Sequence, residues 1–244
     1  AKRLAFSIMG SKDTDRVRTV QFHQSYSYED FVMGYRPDGG SFRLAEGPFY
    51  GFCKTAESDA KRPYFFIIDE INRGNLSKIL GELLMLIESD KRGAENSIRL
   101  TYKDEDFFVP ANVHLIGMMN TADRSLAMID YALRRRFAFF EMKPKFASEG
   151  FKARQRAIRN PKFDALLSMV EMLNEDIAKD ASLGDGFLIG HSYFLTNGIV
   201  DDEWLNSVIN HELVPLLKEY WFDAKSNVDN WTKELRNSVN EKKA

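Results

Sequence analysis

The chain has 244 residues, 44% of them hydrophobic and 29% charged. That is enough for one large domain or two small ones, and it excludes a disordered chain, a collagen and a coiled-coil rod. Lys and Arg number 34 against 36 Asp and Glu, a net charge of −2, which argues against a generically basic nucleic-acid binder, and no apolar run approaches the roughly 18 residues of a membrane span.

In chain order, the sequence opens Ala-Lys-Arg-Leu with neither an initiator Met nor a signal segment, which suggests a piece of something longer. Residues 1–10 read as the end of a helix stopped by Gly10, and residues 17–22 as a strand. Residues 23–50 are aromatic-rich and carry Gly34, Pro37, Gly39, Gly40 and Gly47; they read as a long structured loop or insertion with a short helix after Gly47. Those aromatics could pack the insertion on the core or stack on DNA bases. Cys53, the single cysteine, rules out an intrachain disulfide and a multi-cysteine zinc site; it indicates a reducing, cytoplasmic setting, and no base partner for it is recognisable.

Residues 64–69, Tyr-Phe-Phe-Ile-Ile-Asp, form a continuous apolar run ending in an acid, as suits a strand buried on both faces of a parallel sheet. Residues 76–89 show helical periodicity. Alternation at Ile98, Leu100 and Tyr102, a charged turn at 103–106 and a second apolar run to Val109 read as a β-hairpin, which could line a central pore or be ordinary edge structure. Residues 113–118 read as a strand, 125–135 as a helix and 137–142 as a further strand. Pro144 marks a boundary: beyond it residues 163–179, 204–221 and 230–239 all read as helices. The expected organisation is an α/β core over 1–143 and a helical lid over 144–244.

Three constellations carry chemistry. The first is Asp69-Glu70-Ile71-Asn72-Arg73. Two carboxylates at the carboxyl end of a buried strand sit where open α/β sheets bind ligands. A hydrophobic strand ending in Asp-Glu is the Walker-B pattern. There Asp69 would hold Mg²⁺ through its water shell and Glu70 would orient or deprotonate an attacking water. The same pair could be a solvated acidic cap on the next helix. The second runs from Met119-Asn120-Thr121 to Asp123-Arg124. If the two strands are neighbours, the Asn120 amide lies beside Glu70; it could equally be a turn residue or helix cap. The third is Arg134-Arg135-Arg136-Phe137, either a solvated helix end or an arginine finger for a neighbouring subunit's γ-phosphate.

Taken together, these residues resemble the AAA+ superfamily and, more narrowly, the McrB family of GTP-hydrolysing motors from modification-dependent restriction systems. The resemblance rests on Asp69 to Arg73, on Met119-Asn120-Thr121-Ala122-Asp123-Arg124-Ser125-Leu126-Ala127 and on Asp130 to Phe137; Val20 to Phe31, Gly190-His191-Ser192-Tyr193-Phe194 and Glu219 to Asp223 add to it. It implies an AAA+ P-loop NTPase core, a parallel sheet flanked by helices, with a C-terminal all-α lid. Asp69 resembles the Mg²⁺-site acid, Glu70 the catalytic acid and Asn120 the sensor amide. Arg135, with Arg136 next, resembles the trans-acting finger, and Asn72 and Arg124 belong to the signature and link the site to a neighbour. No arginine stands at Gly190-His191-Ser192, where related motors place a second sensor, so no catalytic role passes to His191. The resemblance further implies Mg²⁺, GTP (or ATP) as substrate, a homo-oligomeric ring, hexameric in the family, an McrC-like nuclease partner, DNA contact through a separate N-terminal domain, and no membrane. Gly-x-x-x-x-Gly-Lys-Ser/Thr appears nowhere in the 244 residues. The chain as given is therefore expected to bind nucleotide poorly or not at all, because that loop cradles the phosphates. A non-catalytic ring assembly module and a MoxR-like ATPase chaperone are the alternative readings.

Overall fold

The run at Tyr64–Asp69 forms the centre of a parallel sheet in the computed structural model, which describes residues 1–120 and 134–240. Numbering elements in chain order, β1 is Val17–Gln21, β4 is Tyr64–Asp69 and β7 is Val113–Gly117, in the spatial order β1-β4-β7. Both pairings are parallel, with Gln21 opposite Asp69 and Ile68 opposite Gly117. Tyr64 to Ile68 are buried, which is why this strand shows no polar alternation. The chain divides into two units, Ala1–Phe139 and Phe140–Ala244.

In the first unit, α1 (Lys2–Met9) ends at Gly10 with φ 66°, the left-handed stop that glycine allows. The segment expected to be mainly loop is more ordered than its glycines suggest. Ser27 and Asp30 form a reciprocal capping box on the short helix α2 (Tyr28–Phe31). An antiparallel hairpin follows, β2 (Met33–Asp38) with β3 (Ser41–Glu46), turning at Gly39 and Gly40, both at positive φ. The helix after Gly47 is a full ten residues, α3 (Pro48–Glu57). Gly47 is required there, since a Cβ would lie 2.4 Å from the Phe31 carbonyl oxygen. The aromatics mostly pack the core: Phe31 stacks on Phe49 at 4.8 Å, and both meet Phe66 edge-on. Tyr35 and Phe42 on the hairpin remain exposed.

The expected helix over 76–89 stops early. α4 spans Leu76–Leu80, and Gly81 (φ 52°, ψ −128°) breaks it into a 3₁₀ turn, Gly81–Leu84. The apolar spacing survives because Leu83, Leu86 and Ile87 are buried without a continuous helix. The expected 98–109 hairpin shrinks to two-residue strands, β5 (Ile98–Arg99) and β6 (Asp106–Phe107). Residues 137–142 form no strand: no ladder forms there among the described residues, and Phe140 and Met142 are 86% and 87% exposed. A largely apolar run becomes a strand only with a neighbouring edge to pair with, and the chain here passes from one unit to the other. The helix expected over 125–135 falls almost wholly outside the described residues.

The second unit is helical. It contains α5 (Glu149–Ile158), not anticipated from sequence, α6 (Pro161–Lys179), α7 (Asp202–Ser207), α8 (Val214–Tyr220) and α9 (Lys225–Asn240). Side chains of Ser148, Asn160 and Asp201 cap α5, α6 and α7. The helix expected over 204–221 carries a π turn, Val208–Leu213, just before Pro215. Proline has no N–H to give His211 and its ring crowds that carbonyl, so the extra residue relieves the clash. Leu166, Val170, Leu173, Ile177, Leu205 and Leu235 fill the core of this unit. Among the described residues no helix is long and apolar enough to cross a membrane.

A polar clamp ties the loop between β5 and β6 to α3. Glu105 accepts from the Tyr50 hydroxyl and pairs with Lys103 at 2.7 Å and Lys54 at 2.9 Å. Lys103 above all, then Lys54, pulls its carboxyl down to about 2, from 4.5. A depressed folded-state pKa stabilises above the unfolded value and is lost on acidification. Glu105→Gln should therefore lower stability at neutral pH, and the gap to wild type should narrow as pH falls from about 4.5 toward about 2. Urea denaturation across that range checks it.

Candidate functional site

The expected acids lie where the sheet ends. Ladder contacts continue past the strands on both sides of β4: Phe22 N–H donates to the Asp69 carbonyl at 2.9 Å, and Met118 N–H to the Ile68 carbonyl at 2.8 Å. Ile71 N–H then donates to the Met118 carbonyl at 2.9 Å. The carboxyl ends of β4 and β7 are thus neighbours, and Asn120 follows three residues after the end of β7. Asn120 is exposed.

Between those hydrogen bonds the chain must turn sharply, and Glu70 takes the strain. It has φ 50° and ψ 46°, left-handed backbone that costs a non-glycine residue about 1 kcal/mol or more. A 3₁₀ turn, Ile71–Arg73, follows, closed by Arg73 N–H to the Glu70 carbonyl at 2.9 Å. Asp69 Oδ1 accepts the Glu70 N–H at 3.1 Å, which fixes the first carboxylate beside the second. Glu70 Oε2 is buried and has no aligned hydrogen-bond donor; the Arg73 Nε lies 3.2 Å away as an ion pair. Asn72 Oδ1 is likewise buried without a hydrogen-bond partner. Buried acceptors are rarely left so, and here two fall within one turn.

The packing beneath the turn is tight. A Cβ on Gly117 would meet Ile71 Cδ1 at 2.7 Å, so the glycine at the end of β7 lets the turn settle onto the strand. Asn75 caps α4 by accepting from Lys78 N–H, which ends the turn on a fixed helix.

The arginine triplet is split by one carboxylate. Arg136 is 8% exposed at its side chain and pairs with Glu88 at 2.7 Å, whereas Arg135 is 67% exposed and only 3.9 Å from the same oxygen. Arg134 lies over the Phe139 ring at 6.0 Å. Arg124 lies outside the described residues. In the second unit, His191 Nδ1 accepts the Lys145 N–H at 3.1 Å and the ring meets Phe146 and Phe151 edge-on. Cys53 is buried, and burial pushes its thiol up, which leaves it inert.

Two contacts were missed in the sequence. In the sequence Arg73 stands only as the last residue of Asp-Glu-Ile-Asn-Arg, although Glu-x-x-Arg across a tight turn brings the two ends together. Glu88 left no signal, because its partners lie more than forty residues away in sequence.

The residues suit one kind of cation. Among the described residues no group of three or more His, Cys, Asp or Glu could cage a metal. One carboxylate at a strand end, with one oxygen already held by a backbone N–H, fits an ion that keeps most of its waters, as Mg²⁺ does.

Comparison with known proteins gives the class. The family model "AAA domain (dynein-related subfamily)" matches residues 1–137, and "McrB, alpha-helical lid domain" matches residues 165–229. The chain belongs to the AAA family, with a parallel sheet flanked by helices and a C-terminal helical lid. Within that family it is McrB-like. It is 50% identical over 247 residues to the type IV methyl-directed restriction enzyme EcoKMcrB subunit of Escherichia coli K12, covering 96% of this chain and 53% of that protein. The chain thus spans about half the length of that relative. It is 24% identical to the type II restriction enzyme BsuMI component YdiS of Bacillus subtilis 168, over 86% of this chain and 71% of that one. A crystal structure from Cytophaga hutchinsonii overlays with a TM-score of 0.34 at 13% identity, covering 91% of this chain and 68% of that one.

The backbone of Glu70 makes a direct prediction. Glu70→Gly removes a left-handed side chain and a buried unsatisfied oxygen, so it should raise unfolding stability by about 1 kcal/mol. Chemical denaturation checks this; a loss of stability would show that the Glu70 side chain supports the fold.

Proposed function

We propose that the chain is the nucleotide-hydrolysing AAA+ motor module of an McrBC-like restriction system, with GTP favoured over ATP. The observation that carries the reading is the Asp69-Glu70 turn at the end of the central strand, held against the end of β7 that leads to Asn120. In this reading Asp69 holds Mg²⁺ through water, and the ion, when bound, neutralises phosphate charge. Glu70 accepts from and polarises the attacking water with its carboxylate, whose Oε2 has no aligned hydrogen bond. Asn120 reads the γ-phosphate from the neighbouring strand end. Asn72, its amide oxygen buried and unpartnered, joins Arg124 in linking the site to the next subunit.

Arg135 is the finger acting in trans, since Arg136 is committed to Glu88 while Arg135 is exposed. A finger in trans requires head-to-tail contacts, and such contacts form a ring where the rotation closes; hexamers are the expected form. Turnover drives DNA translocation, an McrC-like subunit supplies the nuclease, and a separate domain reads DNA in the cytoplasm. The stretch of 244 residues contains no Gly-x-x-x-x-Gly-Lys-Ser/Thr loop, so by itself it holds nucleotide weakly. That same feature favours one alternative, a ring assembly module that lends Arg135 to neighbours while its own pocket stays silent.

In the full-length protein, Glu70→Gln should keep nucleotide binding and abolish most hydrolysis, while Arg135→Ala should cost on the order of 10³-fold in rate. Mixing the two variants should restore part of the turnover, because a mixed interface can contain one intact Glu70 and one intact Arg135. Absence of recovery in a steady-state GTPase assay overturns action in trans. Wild-type turnover by Glu70→Gln overturns the motor reading and leaves the assembly module.

A further inference from the structure

We propose that Arg73 is a positioning residue for Glu70: it sets the direction of the carboxylate while leaving the lone pair that receives the water unoccupied. The inference rests on the assignment of Glu70 given above and adds a residue to it.

Three observations lead there. The turn Ile71–Arg73 closes on Glu70 through the Arg73 N–H to Glu70 carbonyl bond, so the backbone itself brings the two side chains to one side. The Arg73 Nε then lies 3.2 Å from Glu70 Oε2, close enough for strong attraction. That same oxygen is buried and has no hydrogen bond of proper alignment. Attraction between charges depends on distance and only weakly on angle, whereas a hydrogen bond depends steeply on angle. A cation at this distance but out of line therefore orients the carboxylate without consuming its acceptor direction. A well-aligned bidentate arginine would fix the carboxylate more firmly and occupy the acceptor sites that a water needs.

The left-handed backbone of Glu70 makes such a guide necessary. With φ 50° the side chain leaves the strand at an angle that no regular element supports, and its neighbour Asp69 repels it. The Glu70 side chain is 22% exposed and that of Arg73 44%, so the pair is screened enough that its worth to stability is small. Its consequence lies in direction rather than in fold stability, which separates this role from that of an ordinary surface ion pair.

The test is a double-mutant cycle in the full-length protein, with single-turnover hydrolysis, steady-state kcat and KM, and affinity for a non-hydrolysable GTP analogue all measured. Arg73→Ala should lower kcat roughly tenfold with KM and analogue affinity unchanged. Arg73→Lys, which keeps a charge on a flexible stem, should recover part of the loss. In a Glu70→Gln background, Arg73→Ala should add no further loss. An equal loss in both backgrounds, a fall in analogue affinity, or no change in kcat each overturns the positioning role; a fall in affinity would make Arg73 a nucleotide ligand instead. Thermal unfolding of Arg73→Ala and of the uncharged, polar Arg73→Gln controls for misfolding, and agreement of their kcat values with intact unfolding transitions supports the role. Wild-type turnover by Glu70→Gln is a different result: it overturns the assignment of Glu70 and the role of Arg73 with it.

Discussion

The central strand β4 is hydrogen-bonded along both edges to its last residues, and the site depends on that constraint. Phe22 holds it from the β1 side and Met118 from the β7 side, and the Ile71 N–H is drawn back to the Met118 carbonyl. A chain leaving such a strand cannot drift outward. It must reverse within one residue, and Glu70 in the left-handed region is that residue. Gly117 and Ile71 then allow the reversed turn to lie flat on the end of β7. The acid is placed by ladder geometry before any side-chain contact is made.

What keeps β4 in place is mostly aromatic. Phe66 receives Phe31, Phe49 and Phe52 edge-on, so the insertion between β1 and β4 forms one wall of the core. The hairpins beside that wall are fixed by polar contacts. Glu82 accepts from Tyr28 and Thr101, Tyr102 donates to Glu29, and Glu105 gathers Tyr50, Lys54 and Lys103. The helical unit builds a separate core, with Asn174 bonded twice to the backbone of Ile189 and Trp221 donating to Asp180. Ser182 and then Trp221 hold the Asp180 carboxyl down at about 2, so this joint too is strongest when the acid is ionised.

The candidate site thus draws on residues of two kinds, some that the backbone strains and some that the surface leaves exposed. Glu70 and Asn72 carry buried acceptors that make no aligned hydrogen bond, with Arg73 beside the first as an ion pair. Arg135 is a cation held loosely, while Arg136, one residue on, is held tightly by Glu88. Adjacent arginines of equal chemistry acquire different surroundings from a single carboxylate, that of Glu88, beyond the 3₁₀ turn Gly81–Leu84.

Much of this was legible from the amino-acid order. Five apolar residues ending in Asp-Glu identify a doubly buried strand with acids at its tip, because only burial on both faces removes the polar alternation. Gly10 as a helix stop, the strand at 113–117 and the long helix ending at Lys179 follow from equally local causes. The failures share a cause as well. Helical spacing over 76–89 was real, but the backbone at Gly81 broke it while the burial it encodes persisted. The run at 137–142 is largely apolar, but a strand exists only when another edge pairs with it. The sequence by itself determined which residues are apolar, which are charged and how they are spaced. The tertiary structure alone decided that Glu70 bends left-handed, that Arg73 folds back to it and that Glu88 claims Arg136 rather than Arg135, since those outcomes depend on strands and turns brought together from distant parts of the chain.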